Sequence, residues 1–330
     1  MEYQDLMRLA GGHAEARIIQ TAVELRIFEA FGTGNQDSTT IASSLHLDLR
    51  AAELLLNALA ALNLLHKQAD GFSLAPVSAR YLKSDAPEYL GGMIRFEAYL
   101  WRCWEQLGDA VRAGQPVRPP DMYQSNSADT QMFVGAMDSL VKARGDTEML
   151  ANAFEWDRVT ELLDVGSGPA TYPIALCRKY SKLRAAVYDL PATLAVTERW
   201  VREAGLEHRI RLLRGDYRID EIPGSYDVIF LSNIIHGEGV EENQRLMNKA
   251  AAALKPGGSV IVKDHILDDT RTNPPTGAIF SLLMLLTTRS GRCYTFNEVK
   301  SWLEAAGLNK ISQVDLPAPL NSSLIIGKKQ

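Results

Sequence analysis

LLDVGSGPATYP, residues 162–173, is the stretch that decides the fold. Leu162 to Val165 is apolar apart from one aspartate and has the length of a strand buried on both faces. It runs straight into Gly166-Ser167-Gly168, and Pro173 stands where the first turn of a following helix belongs. Glycines at such a turn let backbone approach a ligand with no Cβ in the way, at the carboxyl edge of a sheet. The third glycine of a dinucleotide fingerprint would fall at position 171, where the chain has Thr171, so a pyrophosphate clamp is not supported. Taken alone, the glycine pair is explained equally well by an ordinary tight turn.

Downstream of this turn, the grammar is strand, turn and helix in alternation. LRAAVYDLP, RIRLLRGDY, YDVIFLSN and GGSVIVKDHIL are strand candidates, separated by helix-length segments such as Pro191 to Ala204 and Glu241 to Leu254. Alternation of this kind predicts a mostly parallel sheet covered by helices, an α/β architecture. Lys310 to Asp315 and Ser322 to Lys328 follow each other without a helix and predict an antiparallel pair at one edge. Two strand ends add carboxylates to the glycine turn. Asp189 in VYDLP can accept from both hydroxyls of a ribose, and Asp216 in RGDY can accept from an adenine amino group. Each aspartate can also be read as a helix cap. Together they suggest a nucleoside pocket without a phosphate clamp.

Upstream, the pattern is mainly helical. Tyr3 to Phe31 reads as helix with a break at Gly11-Gly12, Asp37-Ser38-Thr39 caps a short helix, and Leu49 to Asn63 is a strongly apolar one. HKQADGFSLAP, from His66 to Pro76, predicts a hairpin turning at Asp70-Gly71. Helix, helix and wing form a winged-helix pattern, which raises DNA binding. Residues 1–120 hold eleven Lys/Arg against fourteen Asp/Glu, and the presumed recognition helix offers only Arg50, the opposite of a phosphate-reading surface. Its Leu and Ala excess suits a face buried against another chain, so dimerisation is expected and nucleic acid is not. Pro116, Pro119 and Pro120 mark the boundary between a domain at 1–115 and one at 116–330, and Ala128 to about Phe154 is expected to be helical.

The whole-chain bounds agree. With 330 residues, 46% hydrophobic and 23% charged, the chain suits about two soluble domains, and a formal charge of -5 gives no general attraction to nucleic acid. No apolar run approaches the roughly 18 residues of a membrane helix, and MEYQD does not read as a signal peptide, so a cytoplasmic location and no membrane partner are expected. Cys103, Cys177, Cys293 and six scattered histidines lack the spacing of a disulfide framework or a metal site, so no metal is expected.

The order DVGSGPATY, YDLP, GDY, SNIIH, LKPGGSVIVKD and GRCYTFNEVKSWLEAAGL resembles the class I S-adenosylmethionine-dependent small-molecule O-methyltransferases, which carry an N-terminal winged-helix dimerisation domain. The resemblance spans nearly the whole chain. It implies a Rossmann-like class I methyltransferase sheet, mostly parallel with an antiparallel edge strand, behind a mainly α winged-helix domain. The implied cofactor is S-adenosyl-L-methionine, held by Asp164, Gly166 and Gly168 at its methionine part, Asp189 and Leu190 at the ribose, and Asp216 and Tyr217 at the adenine, with Ser232 and Phe133 completing the set. Met137 and Asn233 are implied on the side of the acceptor, a small-molecule hydroxyl compound; Phe280, Met284 and Thr288, at near-helical spacing on the apolar helix Thr276 to Thr288, are candidates for the same pocket or for plain core, and His13 is a candidate contact across a homodimer. The FxxxM spacing of Phe133 and Met137 is equally that of ordinary helical packing.

His236, just past the strand that ends in SNIIH, matches the family's general base, and Asp264 in VIVKDHIL matches the acidic group that orients it. The implied reaction is methylation of a hydroxyl on an aromatic or polyketide-like molecule. The alternatives are S-, N- or C-methylation or a non-methylating reaction on the same fold, and a cofactor-sensing winged-helix regulator. Two positions depart from the family. Cys293 stands where plant members have a second acidic residue, and Gly237-Glu238-Gly239 replaces an acidic or aromatic pair. The two glycines predict a pliable loop with space beside the imidazole, and Glu238 is either paired with His236 or solvated.

Overall fold

The computed structural model of the chain describes residues 1–32, 34–316 and 322–330. It divides into two compact units, Met1–Trp101 with Gly135–Ala143, and Arg102–Val134 with Arg144–Gln330.

In the first unit, helices Ser38–Ser44 and Leu49–Ala61 precede a hairpin of β1 (Leu65–Gln68) and β2 (Gly71–Leu74). Asp37 and Asp48 cap the two helices by accepting from the amides of Thr40 and Ala51. The predicted wing is present, but Gln68 pairs with Gly71, so its two-residue turn is Ala69-Asp70 rather than Asp70-Gly71. Ile27, Phe28, Ile41, Leu56, Leu59, Leu65 and Phe72 form this unit's core. The first helix, Tyr3–Glu24, passes through Gly11-Gly12 without the expected break. Two glycines cost such a helix about 2 kcal/mol. Reciprocal bonds between Glu2 and Asp5 at its start, and the burial of Gln20, Ala22 and Val23 near its end, keep it continuous. The helix expected from Ala128 to Phe154 is two, Ser127–Arg144 and Asp146–Ala153, separated by Gly145 in the left-handed region at φ 70.

The second unit is built on a seven-stranded sheet. Its strands are β3 (Glu161–Val165), β4 (Arg184–Asp189), β5 (Ile210–Arg214), β6 (Tyr226–Ser232), β7 (Leu254–Asp264), β10 (Asn309–Asp315) and β11 (Ser323–Lys328). A small parallel pair, β8 (Ile266–Leu267) and β9 (Tyr294–Thr295), lies outside it. The order is β10-β11-β7-β6-β3-β4-β5. β5, β4, β3, β6 and β7 run parallel, while β11 is antiparallel to both β7 and β10, as the sequence pattern predicts.

Register decides which side chains share a face. Asp164 pairs with Phe230 and Phe230 with Ile261, while Ser232 pairs with Lys263. Because side chains alternate along a strand, Asp164, Phe230, Ser232 and Lys263 occupy one face and Asp264 the other. Leu163, Val165, Ile229, Leu231, Val260 and Val262 fill the second face and pack with the helices Val240–Ala252 and Phe296–Ala305.

Candidate active site

The carboxyl ends of β3, β4, β6 and β7 lie along the sheet edge that carries the glycine turn. Gly166 has φ +63, and a Cβ built there would stand 2.3 Å from Ile234 Cδ1, so glycine is favoured and any other residue must displace the end of that isoleucine. Its amide donates to the Tyr188 carbonyl at 2.8 Å, which fixes the turn to β4. A Cβ at Gly168 would meet nothing within 4 Å, so this second glycine borders open space.

Two carboxylates flank the turn. Asp164 is buried, and its Oδ2 accepts from Ser167 Oγ at 2.6 Å, while its Oδ1 has no partner. Burial, with a smaller push from the Asp189 charge, raises its carboxyl to about 8. Asp189 accepts from the Gly168 amide at 2.8 Å and the Leu190 amide at 2.7 Å. Burial raises it to about 6 against those hydrogen bonds. Asp189 therefore clamps the glycine turn directly, which a helix cap would not do.

Asp216 lies two residues beyond β5, and the Arg218 guanidinium occupies both its oxygens, at 2.8 and 2.7 Å. The group nearest the turn from this strand end is Tyr217, whose ring edge is 3.8 Å from the Cβ position at Gly166. Phe133 stacks on Tyr123 with centroids 4.6 Å apart, and Arg118 lies 4.0 Å over that Tyr123 ring. Met137 belongs to the first compact unit.

On the sheet's other face, His236 sits in a short 3-10 turn, Ile235–Gly237, and its Nδ1 is 2.8 Å from Asp264 Oδ1. A carboxylate can only accept, so in the neutral imidazole Nδ1 carries the proton and Nε2 keeps its lone pair. Burial opposes the charge on Asp264, but His236 and His265 outweigh it and hold the carboxyl below its ordinary range. The His265 amide also donates to Asp264 Oδ1 at 2.7 Å. Phe280 stands edge-on to His236 at 4.8 Å and packs on His265 at 4.9 Å, so the helix Pro275–Thr287 forms a wall beside the imidazole. Met284 lies one turn further on that helix and is buried. Thr288 is spent on backbone, donating to the Met284 carbonyl at 2.7 Å and accepting from the Gly291 amide at 2.9 Å. Asn233 adopts φ 56 and turns the chain from β6 towards His236.

Glu238 bonds neither His236 nor solvent alone: its Oε1 accepts from the Tyr217 hydroxyl at 2.9 Å. Burial raises its carboxyl, and the cofactor-side Tyr217 is thereby joined to the histidine loop. Two residues not singled out from sequence hold that loop. Asn243 Nδ2 donates to the Ile235 carbonyl at 2.9 Å, and the Tyr294 hydroxyl donates to the Glu238 carbonyl at 2.6 Å. Cys293 is buried, its thiol pushed up to about 12 by burial and by the nearby Asp264 charge, so it adds no second anion beside the base. No metal-binding cluster occurs among the described residues. No helix among them is long and apolar enough to cross a membrane.

Residues 104–309 match the family described as the O-methyltransferase domain, and residues 7–84 the O-methyltransferase dimerisation domain. The chain is 31% identical to 3-hydroxy-5-methyl-1-naphthoate 3-O-methyltransferase of Streptomyces sahachiroi, over 98% of this chain and 94% of that one. It is 29% identical to the tetracenomycin polyketide synthesis 8-O-methyl transferase TcmO of Streptomyces glaucescens, over 98% and 96%. The crystal structure of human N-acetylserotonin methyltransferase in complex with SAM superposes with a TM-score of 0.91 at 22% identity, covering 99% of this chain and 97% of that one.

Proposed function

The chain belongs to the O-methyltransferase family, and from that premise we propose that it methylates a hydroxyl of an aromatic or polyketide-like molecule, with S-adenosyl-L-methionine as donor and His236 as base. The observation that carries this reading is the 2.8 Å pairing of His236 Nδ1 with buried Asp264 at the sheet's carboxyl edge.

The residues around the glycine turn suit the cofactor. Asp164 Oδ1 is a buried acceptor without a partner, as an ammonium group requires, and the space at Gly168 admits a ligand against backbone. Asp164 and Ser232 would hold the amino-acid end, Asp189 the ribose, and Tyr217 the adenine. The cofactor supplies an electrophilic methyl on a sulfonium, and transfer is an in-line displacement that depends on alignment. A phenol titrates near pH 10 and is a poor nucleophile at neutral pH. His236 Nε2 takes its proton as the new bond forms, Asp264 fixes the tautomer and balances the imidazolium, and Phe280 sets the ring's edge.

The name of the Streptomyces sahachiroi relative suggests hydroxylated naphthoic acids as the first acceptors to try. The test is a mass-spectrometric screen of such acids, with amines and thiols beside them, using labelled donor. Oxygen acceptors should be methylated, and His236→Ala should lower turnover a hundredfold or more while calorimetry shows cofactor binding retained. Methylation confined to amines or thiols, or unchanged turnover in the variant, would reject the reading.

The first unit supports a homodimer. Tyr3, Leu6, Met7 and Leu9 on its first helix and Leu54 on the helix Leu49–Ala61 are all more than half exposed, at 51–75%. So much uncovered apolar surface on the dimerisation domain fits a second copy of the chain. Light scattering should give twice the 36.4 kDa of the chain.

A further inference from the structure

Two carboxylates flank Tyr217, and they differ in what they have left to accept. Asp216 is saturated. Its Oδ1 accepts from Arg218 Nε at 2.8 Å and from the Arg218 amide at 3.0 Å, and its Oδ2 accepts from Nη2 at 2.7 Å and Nε at 3.2 Å. A carboxylate offers about four lone pairs, so a single arginine occupies them all. Glu238 comes to the same tyrosine on the loop that carries His236, and its Oε1 accepts from the Tyr217 hydroxyl at 2.9 Å. Among the described residues nothing donates to its Oε2.

The free oxygen is held in place. The Glu238 carbonyl accepts from the Tyr294 hydroxyl at 2.6 Å and from Asn243 Nδ2 at 3.3 Å, which fixes the peptide that bears the carboxylate. The Tyr217 ring lies 3.8 Å from the Cβ position at Gly166, so this oxygen borders the glycine turn across one aromatic ring. A purine stacked on that ring, roughly 3.5 Å above it, brings its edge level with the phenol hydroxyl. One carboxylate can then take a donor from each ring. Adenine carries one exocyclic donor, the 6-amino group, and Arg218 cannot receive it because a guanidinium only donates.

We propose that Glu238 selects the base of the methyl donor, its Oε2 accepting from the adenine 6-amino group while its Oε1 holds the Tyr217 hydroxyl. The inference rests on the cofactor site proposed above. It moves the amino contact from Asp216, where the family resemblance places it, to Gly237-Glu238-Gly239, where the chain departs from that family. The departure supplies the acceptor that Arg218 takes away. Donor base and acceptor proton are then handled by one loop, from residues two positions apart.

The test compares two probes in calorimetry on the full-length protein: S-adenosylhomocysteine, and its analogue with unsubstituted purine, which lacks only the amino group. The native protein should bind the first at least about tenfold more tightly, the usual scale for a hydrogen bond to a charged group. Glu238→Ala should bring the two probes within about twofold of each other, whereas Tyr217→Phe keeps both ring and carboxylate and should preserve the split. A split that survives Glu238→Ala would return the contact to Asp216, and one that disappears in Tyr217→Phe would give it to the phenol oxygen. Either result, or native protein that does not distinguish the probes, overturns the proposal. Should Glu238→Ala fail to fold, Glu238→Gln decides it: a neutral amide with one oxygen for two donors should cut the split below about threefold, and an undiminished split would count against Glu238. Native protein that binds neither probe would instead overturn the cofactor site itself.

Discussion

The carboxylate at Asp164 makes cofactor binding and protein stability respond to pH in opposite directions. Burial raises it to about 8 in the cofactor-free protein, so at neutral pH it is mostly protonated. An ammonium ligand needs the ionised form, whose population falls tenfold per pH unit below 8. Affinity for the proposed cofactor should therefore fall about tenfold from the plateau at pH 7 and about a hundredfold at pH 6. Below that the curve should steepen, because Asp189 begins to protonate at about 6. Stability runs the other way. The unfolded chain releases this proton near pH 4 and the folded one near 8, so between those values the unfolded state binds fewer protons and stability falls as pH rises. Asp164→Asn replaces the group with a neutral amide of the same shape. It should bind the cofactor weakly and with a flatter pH profile, yet melt no lower than the native protein at pH 8. The measurements are calorimetric titration from pH 5.5 to 8.5 and thermal melts without ligand. The ligand's own amino group titrates identically in both proteins, so the difference between the curves isolates Asp164. Native affinity that is constant between pH 6 and 8, or an Asn variant with the native slope, would refute the reasoning.

Asp264→Asn should lower turnover at least a hundredfold while cofactor affinity stays within twofold, since an ion pair at about 4 Å is worth up to about 4 kcal/mol at an effective dielectric of 20; turnover within fivefold of native would remove Asp264 from the mechanism. Gly166→Ala forces a Cβ to 2.3 Å from Ile234 Cδ1 at a positive φ, which should cost about 1–3 kcal/mol in a thermal melt and weaken cofactor binding with it; a variant indistinguishable from native would show that the turn yields freely. Glu238→Ala leaves the hydroxyl of half-buried Tyr217 without its acceptor and should lower the melting temperature by the equivalent of about 1 kcal/mol. Glu238→Gln keeps an oxygen there and should restore most of that loss; if both variants melt alike, the Tyr217 bond is not what Glu238 contributes.

The parts of this molecule legible in the sequence are those fixed by neighbours along the chain. LLDVGSG announces a buried strand and a turn that favours glycine, and Gly166 adopts φ +63 there. The alternation of strands and helices likewise carries the parallel sheet and its antiparallel edge. What stayed hidden depends on partners distant in sequence. Glu238 follows His236 closely, yet its partner is Tyr217, and nothing local announces that bond. Thr288 falls at helical spacing from Phe280 and Met284, but the helix ends there and the backbone takes its hydroxyl. Lys263 gave the clearest unused signal, a cation inside the buried strand SVIVKD directly before the acidic group that pairs with the histidine.

That dipeptide explains how one strand serves two chemistries. Along β7 each step reverses the face, so Lys263 points to the side of Asp164 and Ser232, and Asp264 to the side of His236. One face offers buried acceptors with an unmet oxygen, suited to a cationic donor. The other offers a tautomer-fixed imidazole beside an aromatic wall, suited to a hydroxyl. A slip of one residue in the pairing of β7 with β6 would exchange Lys263 and Asp264 and destroy both faces at once. Ser232 opposite Lys263 holds that register at the reactive edge, and the antiparallel pairing of β11 with β7 over Ser259 to Asp264 holds it from the other side. β11 thus does more than join the edge strand β10 to the sheet. It fixes the register on which the separation of donor and acceptor chemistry depends.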